Sequence, residues 1–248
     1  MSKRKQRVDQ FVTVRPGVKV SLSGDLVECA RALLQMALDQ RRGEVLRYRE
    51  DHFSWYAIGS ILLLVSALEA WLNEVLSEAL FISDRQRLIG LADEPLLAKY
   101  YEIPNRVTGV RISPNEELTL LVDVRHEIAH YMPRILPDEG GVPNWLVDLH
   151  RRHLFLGGRD EGRAILSWRF ASYRLAYWAW ETAEAAVAEF VTAASVEVEG
   201  VALGCHCAGN FSCFRTICPP SELAEYDAQH GLELTRIVKP LRPEITWS

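Results

Sequence analysis

One apolar stretch, FSWYAIGSILLLVSALEAWLNEVLSEAL, runs from Phe53 to Leu80 and decides which folds the chain can adopt. It is apolar on most faces, which is typical of a helix that other helices surround. Glu69 interrupts it, and the uninterrupted part is shorter than the roughly 18 residues that a membrane span requires. We therefore predict a central helix of a helical bundle in a cytoplasmic protein with no membrane segment.

Helical patterns extend from about residue 25 to residue 195 and predict an all-α bundle of about five helices. Residues 1–24 are expected to form an N-terminal arm, where FVTVRPGVKVSLS alternates around a Pro-Gly turn as a short hairpin does. No apolar run follows the basic N-terminus, so no signal peptide is predicted. Residues 196–248 are expected to form a small, irregular, cysteine-rich tail.

Charge limits the partners that the chain can have. The net charge of -5 argues against indiscriminate coating of nucleic acid, but it leaves room for a local RNA site. Two basic clusters, residues 41–49 and 150–159, could hold RNA phosphates, although solvated helix faces explain such clusters more often.

The five cysteines are an odd number without a secretory signal, which favours reduced thiols or a metal site over disulfides. Four of them, with His206, lie within the 14 residues CHCAGNFSCFRTIC, close enough to share a zinc ion; these are Cys205, Cys207, Cys213 and Cys218. Their spacing is not a pair of Cys-x-x-Cys motifs. Free thiols are therefore favoured, and a structural zinc site stays open.

The segment SPNEELTLLVDVRHEIAHYMP, residues 113–133, predicts a capped amphipathic helix. Ser113 is a suitable N-cap with Glu116 completing a capping box, and Pro133 ends the helix. At roughly 100° per residue, Arg125 falls near the middle of the apolar stripe. A buried guanidinium is costly unless it is paired or faces a polar cavity, so Arg125 requires an explanation.

His126 and His130 are four residues apart on one flank of this helix and allow a zinc interpretation. His-Glu-x-x-His places two imidazoles on one metal, and the intervening glutamate can activate a bound water. A third ligand is needed, and the downstream candidates are acids such as Glu181 or Glu184 on the last helix. Peptidases with this motif carry a sheet before it, whereas this chain reads mostly as helix there. A zinc-dependent hydrolase is therefore a secondary alternative.

The same segment resembles the signature helix of HEPN domains, in which an arginine and a polar residue precede a histidine. Arg125, His126 and His130 fill those places. SALEAWLNEVL is similar to an earlier HEPN helix through Leu68, Glu69, Trp71 and Asn73, and YRLAYWAWETAEAAVAEF is similar to the closing helix. The resemblance covers roughly residues 25–195.

The resemblance implies a metal-independent endoribonuclease, a class that includes many toxins of toxin–antitoxin and other defence systems. It also implies a homodimer whose motif helices face each other, an RNA substrate, an antitoxin partner and no cofactor. Other HEPN proteins are catalytically inactive interaction or nucleotide-binding modules, which is the first alternative.

The residue types fit RNA cleavage by the substrate's own 2'-hydroxyl. A histidine can transfer the proton near neutral pH, and a forked guanidinium can stabilise charge on the phosphate. We predict His130 as general base or acid, Arg125 as phosphate clamp and His126 as supporting polar residue. Glu69 is the candidate that orients Arg125, although an ordinary interhelical salt bridge is slightly favoured for Glu69. The alternative is a structurally paired Arg125 with both histidines on the surface.

Overall fold

The computed structural model describes residues 22–44, 55–82, 88–130, 145, 148–149, 152, 154, 159–160, 163–164, 173–195 and 211. Among the described residues, five helices have defined bounds: α1 (Leu22–Glu44), α2 (Trp55–Ile82), α3 (Leu96–Thr108), α4 (Glu116–Ala129) and α5 (Tyr173–Ala194). A 3-10 turn, Leu91–Asp93, precedes α3, and the two-residue strands β1 (Arg159–Asp160) and β2 (Arg163–Ala164) pair antiparallel. The predicted all-α bundle of about five helices is confirmed.

The predicted central position of the long apolar helix is also confirmed, because α2 packs against α1, α3, α4 and α5. Its inward side chains, including Ile61, Leu64 and Trp71, are buried. By length and composition alone, Trp55–Leu80 could cross a membrane, yet 56% of its most apolar window is buried inside the bundle. Core helices of soluble proteins pass the same test, so the helix is weak evidence for a membrane span.

A buried hydroxyl joins three helices at the centre of the bundle. Ser60 of α2 donates to the carbonyl oxygen of Ala30 in α1 at 2.9 Å and accepts from Trp180 Nε1 of α5 at 3.1 Å. Ser60 is fully buried, so water cannot replace either bond. The hydroxyl therefore fixes the relative positions of α1, α2 and α5.

We expect Ser60→Ala to lower the free energy of unfolding by about 1–3 kcal/mol, because it removes a buried hydrogen-bond bridge. The matched control is Ser66→Ala, since Ser66 Oγ bonds only within α2, to the Leu62 carbonyl at 2.8 Å. The control should cost about 0.5 kcal/mol or less. Urea unfolding measures both, and equal losses would contradict the bridging role.

Helix α4, which carries Arg125, His126 and His130, begins two residues later than predicted. Its N-cap is Asn115, whose side chain accepts from Leu118 N at 2.9 Å, and Ser113 lies outside the helix. The backbone N–H of Asn115 donates to the Tyr101 hydroxyl at 2.8 Å, a contact with α3. This tertiary bond holds the chain at Asn115, which local sequence rules do not foresee.

The ends of the bundle differ slightly from the predicted boundaries. Helix α1 includes Leu22, before the predicted limit of the arm at residue 24, and the Ser23 hydroxyl donates to Glu74 of α2 at 2.9 Å. The hairpin predicted in the arm lies outside the described residues. In the predicted tail, Phe211 is buried and packs edge-on against Trp71 with 6.1 Å between ring centroids. At this position, the segment after residue 195 is part of the bundle core.

Candidate functional site

The C-terminal end of α4 carries the three residues of the predicted motif. The buried face of the helix consists of Leu118, Leu120, Leu121, Val124 and Ile128. The sequence predicted Arg125 near the middle of the buried face. The observed buried face is rotated about the helix axis, so Arg125 lies at its edge and is half-buried. Arg125 therefore stands between the core and the solvent-exposed flank that bears the histidines.

The Arg125 guanidinium has an unsatisfied atom. Its Nε is buried and has no hydrogen-bond partner. Within the described part of the chain, no ion pair or hydrogen bond of Arg125 is found, including any to Glu69. A buried donor without an acceptor is uncommon in proteins and costs about 1–3 kcal/mol. The structural pairing that was the alternative for Arg125 is thus not seen among these residues.

His126 and His130 form a ring pair beside Arg125. Both side chains are exposed, and their ring centroids are 4.6 Å apart with planes tilted by 48°. His130 is the C-cap of α4, and its backbone N–H donates to the His126 carbonyl at 2.9 Å. The structure thus brings together three of the four predicted site residues.

Sequence reasoning missed Asp123, which precedes His126 by one turn on the exposed face of α4. Burial raises the pKa of the Asp123 carboxyl above its ordinary value of 3.8, while the nearby His126 charge lowers it and Glu127 raises it. Asp123 therefore attracts the charged form of His126. The spacing of three residues between an acid and a histidine is the signal that could have identified it.

Glu69, the fourth predicted site residue, lies near Lys99 of α3. Lys99 is only 3% exposed, and its Nζ donates to Asn73 Oδ1 at 2.7 Å. Burial lowers the Lys99 pKa below its ordinary value of 10.5, while the charges of Glu69, Asp93 and Glu94 act in the opposite direction. The described contacts thus associate Glu69 and Asn73 with a buried lysine, and the orienting role toward Arg125 stays a prediction.

The lowered pKa of Lys99 makes stability depend on pH. The folded protein releases this proton at a lower pH than the unfolded chain does, so stability rises with pH as the range below 10.5 is crossed. The Lys99→Met variant has no ionisable group at this position, so its stability does not depend on the Lys99 proton. Compared by urea unfolding at pH 7 and about pH 10, the wild type should gain stability relative to the variant. A difference that does not change with pH would contradict the burial of a charged Lys99.

The basic cluster at residues 150–159 is partly engaged in an ion pair. Arg152 Nη1 lies 2.8 Å from Glu117 Oε1 at the start of α4, and Trp178 Nε1 of α5 donates to the other oxygen of Glu117 at 2.7 Å. Glu117 therefore connects this segment to α4 and α5. Arg152 therefore has a structural contact through Nη1, while its buried Nε has no hydrogen-bond partner, as in Arg125.

A groove of about 480 Å³ lies at the other end of α4, where the linker before the helix meets the last turns of α5. Its lining includes Arg111, Ser113, Glu189 and Thr192. None of the predicted site residues lines it, so the motif faces solvent outside this groove.

Metal ligands are sparse in the part of the chain that the structure describes. No group of three His, Cys, Asp or Glu side chains there could hold a metal ion. Glu181, one of the proposed third ligands, lies 3.6 Å from Arg174 Nη1 in an ion pair within α5. The cysteines Cys205, Cys207, Cys213 and Cys218 lie outside the described residues, so zinc binding by them stays a prediction.

Comparison of the chain with family models, curated proteins and solved structures finds no match.

Proposed function

We propose that the protein is a metal-independent endoribonuclease of the HEPN type, of the kind found among toxin and defence proteins. The observation that carries the proposal is the buried, unpartnered Nε of Arg125 at the edge of an exposed histidine pair. RNA is the proposed substrate, and a homodimer with an antitoxin partner is the proposed assembly.

Arg125 supports the proposal because a guanidinium is a fork of five N–H donors that suits phosphate oxygens. A phosphodiester oxygen placed at the edge of the α4 core face would accept from this fork, including the unsatisfied Nε. The contact would be worth more where the guanidinium is half-buried than on an exposed side chain, since water screens it less.

His130 supports the proposal because its imidazole is exposed at the C-cap of α4, five residues after Arg125. Such a group can accept the proton of a ribose 2'-hydroxyl as that oxygen attacks the adjacent phosphorus. The attack forms a 2',3'-cyclic phosphate and breaks the bond to the 5'-oxygen. That oxygen takes a proton from water and leaves as a hydroxyl, and His130 returns its proton to the solvent. Arg125 would stabilise the negative charge that develops on the non-bridging oxygens.

Two alternatives share these residues. A catalytically silent interaction or nucleotide-binding module would use Arg125 only to bind an anion or a partner. A zinc-dependent hydrolase would use His126 and His130 as metal ligands, with Glu127 activating a water.

Incubation of the purified protein with single-stranded and hairpin RNAs in excess EDTA separates the three functions. We expect cleavage whose fragments end in a 2',3'-cyclic phosphate and a 5'-hydroxyl, because no metal takes part. Activity that appears only with added zinc would instead support the hydrolase. Tight RNA or nucleotide binding without any cut would support the silent module.

A further inference from the structure

Helix α1 carries two apolar stripes, and only one of them lies in the core. Val27, Ala30 and Leu34 are buried in the bundle. The second stripe recurs at intervals of four, three, four and three residues, and its members are exposed or half-buried: Leu22, Leu26, Cys29, Leu33 and Met36. This spacing is that of a seam that packs against another helix. Because Leu22 is 55% exposed and Met36 is 49% exposed, the seam is largely open in this protomer.

Helix α2 continues this open surface beside α1. A β-carbon added to Gly59 would lie 2.8 Å from Leu33 Cδ1, so the two residues are in contact. Residues of α2 at helical spacing from Gly59 are likewise exposed or half-buried: Trp55, Leu63, Ser66 and Ala70. The sequence from residue 55 to residue 68 contains no charge, and only 56% of the most apolar window of α2 is buried. The seam of α1 and this side of α2 thus form one apolar surface, which we call the α1–α2 face.

The α1–α2 face is large for a surface in contact with solvent. It is about 22 Å long from Leu22 to Met36, at 1.5 Å per residue, and about 20 Å wide across two helices. These dimensions give roughly 400 Å² in projection, and apolar patches of that size on soluble proteins commonly mark binding sites. Gly59, Ser66 and Ala70 are small, so another helix can approach α2 closely. The α1–α2 face is therefore suited to packing against further helices.

The seam of α1 is complementary to a second copy of itself that runs in the opposite direction. Its members lie seven and three residues before Cys29 and four and seven residues after it, so the pattern is nearly symmetric about Cys29. With Cys29 at a two-fold axis, Leu22 would face the partner's Met36, and Leu26 would face the partner's Leu33. A surface that matches its own copy in this way is what a two-fold dimer requires.

Acidic residues beside the seam favour the antiparallel orientation. Asp25 and Asp39 are exposed on its flank. In a parallel pair each of them would face its own copy, and like charges in contact are unfavourable. In the antiparallel pair Asp25 lies opposite the partner's Ala32, which is uncharged. Charge therefore selects the orientation that the order of apolar residues also favours.

We infer that the α1–α2 face is the interface of a homodimer in which two copies of the chain pack antiparallel about Cys29. This inference goes beyond the proposed ribonuclease function and does not depend on it, because it uses neither Arg125 nor the histidine pair. It also differs from the dimer that the HEPN resemblance implies, in which the motif helices face each other. The interface engages α1 and α2, and His126 and His130 are not part of it.

The native Cys29 thiol reports this interface without any substitution. A short bismaleimide added to the purified full-length chain should link Cys29 to the partner's Cys29. Mass spectrometry after trypsin digestion identifies the link as peptide 20–31 joined to itself, which only two copies can give. In Cys29→Ser combined with Glu28→Cys, the thiol is turned by roughly 100° around the helix, and the self-linked product should fall by about 10-fold or more.

Charge placement across the two-fold axis tests the register. Leu22→Glu combined with Met36→Glu sets like charges opposite each other, and sedimentation equilibrium should show the dimer Kd raised by about 100-fold or more. Leu22→Lys combined with Met36→Glu sets opposite charges there and should restore most of the dimer. Val110→Glu is the matched control, because Val110 is 47% exposed and lies in the linker between α3 and α4. It should sediment as the wild type does, at twice the mass of one 28.2 kDa chain.

Each contrary result overturns the inference in a different way. A wild-type chain that stays monomeric up to about 100 µM and gives no self-linked peptide does not use the face for dimerisation. A dimer that the paired glutamates leave intact has its interface elsewhere. If a monomer floats with phosphatidylcholine vesicles and the paired glutamates abolish flotation, the face binds lipid instead of a second copy. Lack of RNA cleavage leaves all of these readouts unchanged, so the proposed function is decided separately by its assay in EDTA.

Discussion

Arg125→Met should reduce RNA cleavage by about 100-fold or more while leaving the free energy of unfolding unchanged or raised. Methionine keeps an apolar stem at the edge of the α4 core face but removes the guanidinium. Because the Nε of Arg125 is buried without an acceptor, its removal eliminates an unsatisfied donor from the folded state. A loss of activity without a loss of stability is what distinguishes a phosphate clamp from a structural arginine.

Arg125→Lys refines this prediction. Lysine preserves the positive charge but presents it as a compact ammonium without the planar fork. If Arg125 contacts phosphate through two donors, the lysine variant should lose most of the activity, by about 10-fold or more. RNA cleavage in EDTA and urea unfolding of each variant give the two readouts.

A catalytically silent module predicts the contrary result. A loss of more than about 1 kcal/mol of stability in Arg125→Met, with no cleavage by the wild type, would assign Arg125 to the architecture of the bundle. His130→Ala serves as the matched control, because His130 is exposed and its loss should abolish cleavage without changing stability.

Phe211→Ala should lower the free energy of unfolding by about 3–5 kcal/mol, the largest stability effect that we expect. Phe211 is 1% exposed although it lies far from the bundle in sequence. Its ring lies edge-on to Trp71 at 6.1 Å between centroids, and Trp71 lies edge-on to Phe190 of α5 at 5.0 Å. Truncation would therefore leave a cavity within an aromatic cluster that includes α2 and α5.

Ile89→Ala is the control for Phe211→Ala, since Ile89 is apolar but 52% exposed. It should change stability by about 0.5 kcal/mol or less. Both variants can be compared in the full-length chain by urea unfolding followed through tryptophan fluorescence. If Phe211→Ala behaves like the control, the segment around Phe211 does not contribute to the stability of the bundle.

The helices themselves were largely predictable, because each carries its information locally. The apolar run around Leu64 predicts a buried central helix, and apolar residues that recur at helical spacing predict α4 and its exposed histidine flank. The N-cap of α4 was predicted wrongly, since both Ser113 and Asn115 are good caps. The choice depends on a bond from Asn115 to Tyr101 in another helix.

The candidate site was predictable only in part. The pairing of His126 with His130 follows from their four-residue spacing, and the structure places the rings in contact. The environment of Arg125 did not follow, because a modest rotation of the helix moves it from the centre of the buried face to its edge. The described interaction of Glu69 is with Lys99 of α3, and its orienting role toward Arg125 stays a prediction.

The sequence by itself determined which segments are helical, which one is central and which residue types share the exposed flank of α4. These properties depend on side-chain periodicity and apolar content within each segment. Only the tertiary structure decided that Arg125 keeps an unsatisfied Nε, that Lys99 is buried and that Phe211 joins the core. Each of these depends on packing between segments distant in the chain, and the periodicity of one segment carries no information about which partner covers it.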